Sequence, residues 1–402
     1  MSLRSFFIDF DSYFASVEQH LRPHLRGRPV AVVPVRAETT SCIAASYEAK
    51  ACGVSTGTSV RDARRLCPGI ELVEARHKEY IEFHHRLVAA IDSCIPVDTV
   101  LSIDEMRCSL TGSWQDERKA RRVASQVREA VAAVGTMTCS IGIAPNPFLA
   151  KVASKMEKPN GLTVIRQEDL PHALNGLALG DLHGIGRRML TRLQRQGVRS
   201  VGDLYAADRG TLRRVWGGIE GERLYDELRG RLVYRPPTKR ASIGHSHVLP
   251  PDLRRDDKAL AVLHRLLQKA AWRLRHLGYH AGGLHLHLRY RGQGDWHAQR
   301  DIAATGDTRK LLQVLTEQWA ERPRGRTLLA VGVTLNHLLP QSLQTEDLFA
   351  DHREQRSLNQ VVDRLNVRYG SNTVYFGGAH RARGAAPMRI AFTQIPNPQT
   401  EQ

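Results

Sequence analysis

The chain has 402 residues and carries 58 Lys and Arg side chains against 41 Asp and Glu, a formal net charge of +17. Its hydrophobic content of 42% and charged content of 25% are typical of soluble globular proteins and exclude a largely disordered chain. No run approaches the roughly 20 apolar residues of a membrane span, so we expect no membrane partner. The length predicts several domains, and the charge indicates a polyanionic partner, first of all nucleic acid.

The cysteines and the amino terminus indicate a cellular compartment. The six cysteines lie between residues 42 and 139, and no two of them form a CxxC pair. A disulfide framework or zinc knuckle is therefore not expected, and a reducing cytoplasm is the predicted location. Asp9 stands where a secretory signal peptide would keep its apolar core, so we expect no such signal.

The first predicted element is a strand. Apolar and other side chains alternate over residues 6–11, which predicts a strand with Asp9 and Asp11 on one face and apolar groups on the other. Ser12 can cap a short helix that follows, and the apolar side of this helix includes Phe14.

Alternating strands and helices continue from this point. A second apolar strand, residues 97–103, runs into Asp104 and Glu105. Helical spacing of Ala and Val predicts a helix over residues 117–134, and another short strand follows over 136–142. The amino-terminal part is therefore an α+β or α/β unit.

The middle of the chain changes character. Residues 181–204 show helical patterns joined by a turn at Gly184 and Gly186, which predicts an all-helical module. Two consecutive prolines at positions 236–237 block a helix and indicate a linker. Residues 235–340 contain 18 basic and 8 acidic side chains, a net of +10. We therefore expect a separate carboxy-terminal module to hold the polyanion.

That module is predicted to combine a helix with a sheet. Leucines at helical spacing over residues 260–277, ended by Gly278, predict the helix. Leucines also occupy one side of a strand over residues 284–291. The other side of that strand carries His285, His287, Arg289 and Arg291. A cationic face of this kind suits a sheet that follows phosphates, although an ordinary solvated face has the same pattern. A metal site at the two histidines is not favoured, because the neighbouring sequence supplies no Cys or carboxylate partner.

The acids at the strand ends are candidates for chemistry. Asp9, Asp104 and Glu105 could converge and hold hard divalent cations such as Mg²⁺, which take oxygen ligands. Two such ions could stabilise the attacking and leaving oxygens in phosphoryl transfer. The spacing alone is equally compatible with structural Asp residues at buried strand ends, which is the commoner situation.

Several motifs in order carry a resemblance to a known family. They are Asp-Phe-Asp-Ser-Tyr-Phe at 9–14, Ser-Tyr-Glu-Ala-Lys at 46–50, Ser-Ile-Asp-Glu at 102–105, Ser-Ile-Gly-Ile-Ala at 140–144, Leu-Ala-Lys at 149–151, Lys-Pro-Asn-Gly at 158–161 and Lys-Arg-Ala-Ser-Ile-Gly at 239–244. Together they resemble the Y-family (translesion) DNA polymerases over residues 4–349.

The resemblance implies an α+β multidomain fold, shaped as a right-hand polymerase. It consists of a ferredoxin-like palm (1–12 and 77–165), small fingers (13–76), a helix–hairpin–helix thumb (166–234), a linker (235–241), an α/β little finger (242–340) and a carboxy-terminal tail (341–402).

The same resemblance implies an active site. Asp9, Asp104 and Glu105 would be catalytic and would hold two Mg²⁺ ions together with the backbone carbonyl of Phe10. The implied substrate-binding residues are Tyr13, Phe14, Tyr47, Lys50 and Lys158. Phe14 is at the steric-gate position, where an aromatic ring fills the space of a ribose 2′-hydroxyl, although the ring could also simply pack the helix. The chain departs from the family at Lys50, where Arg is usual, and at Met106-Arg107, which leaves substrate preference open.

Further positions are implied for macromolecular partners. The implied DNA-binding residues are Gly184, Gly186, Arg187, Arg188, Arg289 and Arg291. A peptide with Gln344, Leu348 and Phe349 is similar to those that dock on a sliding clamp. Phe14 and the Lys-Pro-Asn-Gly motif look more like the DinB (polymerase IV) type, whereas the tail looks more like UmuC-type polymerases.

The function implied is that of a DNA-dependent DNA polymerase. The primer 3′-hydroxyl attacks the α-phosphate of a dNTP and releases pyrophosphate, with low fidelity and damage bypass in DNA repair and the SOS response. Primer–template DNA, dNTP and a sliding clamp are the expected partners of a monomer. One rival is a non-catalytic DNA- and clamp-binding scaffold, and another is a plain basic DNA-binding protein. Neither explains the acids.

Overall fold

The computed structural model describes residues 3–385 except 39, 237, 293, 344–352 and 371, together with 390 and 395, and only the backbone of 353–357. The chain divides into two compact units, with one boundary between Arg235 and Pro236. The division falls beside the two consecutive prolines.

The first unit contains eight strands and ten α-helices among its described residues. The strands are β1 (Ser5–Phe10), β2 (Val30–Val33), β3 (Ala44–Ala45), β4 (Glu71–Glu74), β5 (Thr99–Val100), β6 (Glu105–Ser109), β7 (Cys139–Ala144) and β8 (Leu162–Val164). The helices are α1 (Tyr13–Leu21), α2 (Tyr47–Ala51), α3 (Val60–Leu66), α4 (His77–Asp92), α5 (Glu117–Val134), α6 (Pro147–Met156), α7 (Arg187–Arg195), α8 (Val201–Ala206), α9 (Arg209–Trp216) and α10 (Ile219–Leu228).

A five-stranded sheet in the order β5-β6-β1-β7-β8 forms the centre of this unit. β1 is its middle strand and is antiparallel to both β6 and β7. All six residues of β1 are buried, so its alternation does not separate a buried face from an exposed one. Phe7 packs against α6, while Phe6 and Ile8 are fully buried on the other face. A central strand covered on both faces buries its acid as well as its apolar groups.

Helix α5 confirms the predicted bounds, and its buried face contains Ala120, Val123, Ala124, Val127 and Val131. The short sheet β3-β2-β4 packs with α2 and α3 around a separate small core. Helices α7 to α10 share a core with α6. The helix predicted before Gly184 is instead one 3₁₀ turn, Leu179–Asp181.

The second unit is a four-stranded antiparallel sheet with helices on one face. Its elements are β9 (Ser242–Val248), α11 (Asp256–His276), β10 (Tyr279–Tyr290), β11 (Gly294–Thr305), α12 (Thr308–Ala320), β12 (Leu328–Pro340) and α13 (Arg353–Tyr369). The strand order is β11-β10-β12-β9. Leu284, Leu286 and Leu288 are fully buried against α11 and α12, as the strand pattern predicts.

Candidate active site

Three carboxylates meet where β1 lies beside β6. The two strands are antiparallel, so the end of β1 faces the start of β6, and Asp9 is paired in register with Glu105. Asp104 directly precedes β6, and its carbonyl accepts a hydrogen bond from the Phe10 amide at 2.9 Å. The sequence predicted that a strand over residues 97–103 would end at the acids. Instead β5 ends at Val100 and the acids open β6, because only the start of an antiparallel neighbour can meet the end of β1.

Burial and mutual repulsion disfavour the state in which all three carboxylates of this cluster are ionised. Burial raises the pKa of Asp9 to about 6, Lys158 opposes this shift, and the charges of Asp104 and Glu105 add to it. Burial also raises the pKa of Asp104, against a hydrogen bond of 2.5 Å that the Ser102 hydroxyl donates to its Oδ1. A divalent cation would relieve this repulsion, and a donor set made only of oxygens fits a hard one.

Two lysines balance the acids. Nζ of Lys158 pairs with Oδ1 of Asp9 and lies 3.7 Å from Oδ1 of Asp11. Nζ of Lys151, on α6, donates to Oε2 of Glu105 at 2.7 Å. Since both lysine side chains are largely shielded from solvent, these ion pairs are stronger than ordinary surface pairs.

Asp11 is a site residue that the sequence analysis did not single out. Its carboxylate is buried and accepts hydrogen bonds at 2.8 Å from the hydroxyls of Thr138 and Ser140 and from the backbone N–H of Asn160. The Tyr47 hydroxyl also donates to it at 3.3 Å. Asp11 therefore joins β1 to β7, α2 and the Lys-Pro-Asn-Gly segment. The signal in the sequence was its position two residues after Asp9, on the same face of the predicted strand.

The aromatic residues after β1 are held by the start of α4. The Phe14 ring is half-buried and stacks on the Tyr80 ring with centroids 4.5 Å apart. The Tyr13 hydroxyl donates to the Tyr80 carbonyl at 2.6 Å. The Tyr80 hydroxyl in turn donates to the buried Glu18 carboxylate at 2.7 Å. These contacts hold Tyr80 in place, and the stack on Tyr80 in turn fixes the orientation of the Phe14 ring.

The predicted capping role of Ser12 is wrong. Its φ of +48° places it in the left-handed region, and its side chain makes no capping hydrogen bond to α1. Its hydroxyl instead accepts a hydrogen bond of 2.7 Å from Nζ of Lys50, which also lies 4.3 Å from the centroid of the Tyr47 ring. Two of the five predicted substrate-binding residues thus contact the acids directly, Tyr47 at Asp11 and Lys158 at Asp9. Lys50 reaches Ser12, and Tyr13 and Phe14 follow directly in the chain.

The turn before Asp104 is braced by a buried histidine. Nδ1 of His84, on α4, donates to the Ile103 carbonyl at 2.8 Å, and the side chain is 2% exposed. Burial lowers the pKa of His84 to about 4. The imidazole is therefore neutral at physiological pH and holds the backbone next to Asp104.

The glycines predicted to bind DNA lie in the helical part of the first unit. Gly184 has a φ of +89°, which favours glycine, whereas Gly186 has a φ of −86° and open space around its Cβ position. The backbone therefore does not require glycine at Gly186, just before α7. Arg187 and Arg188 open this helix with exposed side chains.

The other predicted DNA-binding residues lie in the second unit. Arg291 is exposed, but Arg289 pairs with Asp295, with Nε 3.0 Å from Oδ1. The face predicted as cationic is therefore partly neutralised by an acid from β11. Gln344, Leu348 and Phe349 lie outside the described residues.

Two family models match the chain. The impB/mucB/samB family matches residues 8–155, and the C-terminal domain of the same family matches residues 240–348. A DNA polymerase IV from Moorella thermoacetica is 34% identical over 390 residues, which cover 91% of this chain and 94% of the relative. The chain belongs to the Y family of DNA polymerases. DNA polymerase IV 1 from Bacillus subtilis is 30% identical, and the alignment covers 97% of this chain and 96% of the relative.

The polymerase belongs to the DinB-like, translesion type, and its likeness to the Bacillus protein extends over most of the tail. Solved structures show the same fold. A Y-family polymerase chimera of Dbh and Dpo4 has a TM-score of 0.71 at 24% identity and covers 84% of this chain and 99% of its own. DinB from Sulfolobus solfataricus has a TM-score of 0.55 at 24% identity and covers 83% and 98%. The right-hand polymerase fold is therefore confirmed. Among the described residues, no helix combines the length and apolar character needed to cross a membrane.

The buried His84 should make stability depend on pH. The unfolded histidine takes up a proton near pH 6.5, whereas the folded one does so only near pH 4. The unfolding free energy should therefore fall as the pH drops through this window, with His84 contributing up to about 3 kcal/mol. His84→Gln keeps a hydrogen-bond donor and should remove this contribution.

The measurement is the unfolding free energy of parent and variant between pH 7.5 and about 4.5. Other buried groups titrate alike in both proteins, so the difference isolates His84. The exposed His24→Gln serves as control and should follow the parent. An equal slope for His84→Gln and the parent would contradict the assignment.

Proposed function

We propose that Asp9, Asp104 and Glu105 form the catalytic centre at which the primer 3′-hydroxyl attacks the α-phosphate of a dNTP and releases pyrophosphate. The register pairing of Asp9 with Glu105 carries this proposal, because it gathers one buried and two partly buried carboxylates where the end of β1 meets the start of β6. Low-fidelity synthesis past damaged template bases in DNA repair is proposed on the family alone.

The residues fit two Mg²⁺ ions held by the three carboxylates and the Phe10 carbonyl. When bound, such ions lower the pKa of an attacking hydroxyl and balance charge on the transferred phosphate. The raised pKa values of Asp9 and Asp104 support a cation requirement, since burial and neighbouring acids disfavour their ionised forms. Ser102, by donating to Asp104, orients the carboxylate that this role needs.

Lys158, Lys50 and Tyr47 are proposed to bind the triphosphate. Lys158 pairs with Asp9 and is 23% exposed, so its ammonium can exchange this partner for a phosphate oxygen. Lys50 and Tyr47 are held together by their cation–π contact and by Ser12 and Asp11. Lys50 supplies charge without the bidentate fork that Arg would offer.

We propose the domain bounds that the family resemblance implies, and the three sheets support them. We assign the five-stranded sheet to a palm (1–12 and 77–165), the three-stranded sheet to fingers (13–76), the helices α7–α10 to a thumb (166–234), and the four-stranded sheet to a little finger (242–340) after a linker (235–241). The tail, 341–402, would carry the clamp-binding residues Gln344, Leu348 and Phe349. All six cysteines are free, which supports a cytoplasmic location, and we propose a monomer.

Asp104→Asn keeps the shape of the side chain and removes its charge. Primer extension with Mg²⁺ should slow by about a thousandfold, since the charge stabilises the metal-bound transition state, while DNA binding should persist. Asp98→Asn, at an exposed carboxylate, should extend normally. Undiminished extension by Asp104→Asn would refute the assignment, and no extension by the parent would favour the scaffold.

Phe14→Ala should admit ribonucleotides. The ring is fixed by its stack on Tyr80, so removing it opens space beside the proposed position of the sugar. Incorporation of rNTP relative to dNTP should rise by about tenfold or more, because a steric clash of a few kcal/mol is removed. Phe14→Tyr keeps the ring and should retain discrimination. Unchanged sugar selectivity in Phe14→Ala would exclude the gate.

Gly186→Glu should weaken primer–template binding by about tenfold, because it places a carboxylate where the backbone would approach a phosphate. Gly176→Glu adds the same charge at another exposed glycine with open space around its Cβ position, and it should bind DNA nearly as the parent does. Equal affinities of the two variants, measured by fluorescence anisotropy at one salt concentration, would argue against the turn as a DNA contact.

A further inference from the structure

A group of histidines lies on the sheet face of the second unit that α11 and α12 leave uncovered. Strand pairing sets His287 directly opposite His297, and Arg289 opposite Asp295. The His297 ring lies in a stack, with centroids 4.7 Å from His287 and 5.2 Å from His285. The sequence offered only His285 and His287 for a metal, with no carboxylate nearby. The neighbouring strand supplies both an acid and another imidazole.

The donor atoms are close enough to share one ion. One ligand atom from each of His287, Asp295 and His297 lies within 4.8 Å of the other two. Nε2 of His287 lies 3.2 Å from Oδ2 of Asp295 and is shielded from solvent. The two atoms are not aligned for a hydrogen bond, so this nitrogen has no hydrogen-bond partner among the described residues. Donors around a tetrahedral Zn²⁺ are separated by about 3.3 Å, given metal–ligand distances of 2.0–2.1 Å. Small side-chain rotations are therefore sufficient.

We propose that His287, Asp295 and His297 form a binding site for a borderline first-row divalent cation such as Zn²⁺. Imidazole nitrogens with one carboxylate suit such an ion, whereas Mg²⁺ prefers oxygens only. The site is thus chemically distinct from the acid cluster of the first unit, and it does not depend on the polymerase activity.

The surroundings provide the outer contacts that metal ligands usually have. Nδ1 of His297 lies 3.2 Å from Nε2 of His285, and a proton donated from Nδ1 leaves Nε2 of His297 with the lone pair that binds a metal. The guanidinium of Arg289 contacts both carboxylate oxygens of Asp295, at 3.0 and 3.3 Å. Arg289 can keep its hydrogen bond to Oδ1 while Oδ2 turns to the ion. A bound cation would add positive charge to this face of the sheet, where Asp295 now neutralises part of the charge of Arg289.

Co²⁺ tests the site in the full-length protein, because four-coordinate Co²⁺ with imidazole ligands absorbs in the visible. Excess Mg²⁺ keeps the acid cluster occupied. We expect one equivalent of Co²⁺ with strong visible absorption that Zn²⁺ displaces. His287→Asn and His297→Asn should each weaken Co²⁺ binding by about a hundredfold or more.

His337→Asn is the matched control. His337 is an exposed histidine on the same sheet, with Nδ1 3.7 Å from Oδ1 of Asp301, so it reports adventitious binding by a histidine–carboxylate pair. It should bind Co²⁺ as the parent does. Zn²⁺ should also raise the Tm of the parent and the control but not that of the two site variants. Absence of the visible band, or equal loss in the control and the site variants, would overturn the proposal.

Discussion

The antiparallel register between β1 and β6 is the constraint on which the rest of this structure depends. It sets Asp9 beside Glu105, and the turn before β6 adds Asp104. Burial raises the pKa of Asp9 to about 6, and repulsion from the two neighbouring carboxylates adds to this shift. Such an arrangement persists only where the surrounding chain supplies compensating charge and rigid support.

That support comes from elements far apart in sequence. Lys151 and Lys158 place ammonium groups against Glu105 and Asp9, and they extend from α6 and from the segment that follows it. The buried Asp11 accepts hydrogen bonds from three different parts of the first unit, while His84 holds the backbone before Asp104. Packed strands and helices thus support the acid cluster, and such elements hold side chains more rigidly than loops do.

The two units use charge in different ways. The first gathers acids at the end of its central strand, and Arg187 and Arg188 are exposed at the start of α7. The second unit exposes one sheet face, but Asp295 neutralises Arg289 there and three imidazoles stack beside it. The excess of positive charge along the chain therefore does not translate into a uniformly cationic face, because strand pairing brings acids and bases together.

The sequence by itself determined some of the elements and the family. Helix α5 and the buried leucines of β10 follow from periodicity, which is a local property, and ordered motifs identified the family and the residues around Asp9. Only the tertiary structure determined the features that depend on residues distant in the sequence. Asp104 and Glu105 open a strand rather than end one, Asp11 is an acceptor for several elements, and His297 joins His287. Register explains this division, since it depends on contacts distant in sequence and a shift by one residue would turn each side chain to the opposite face.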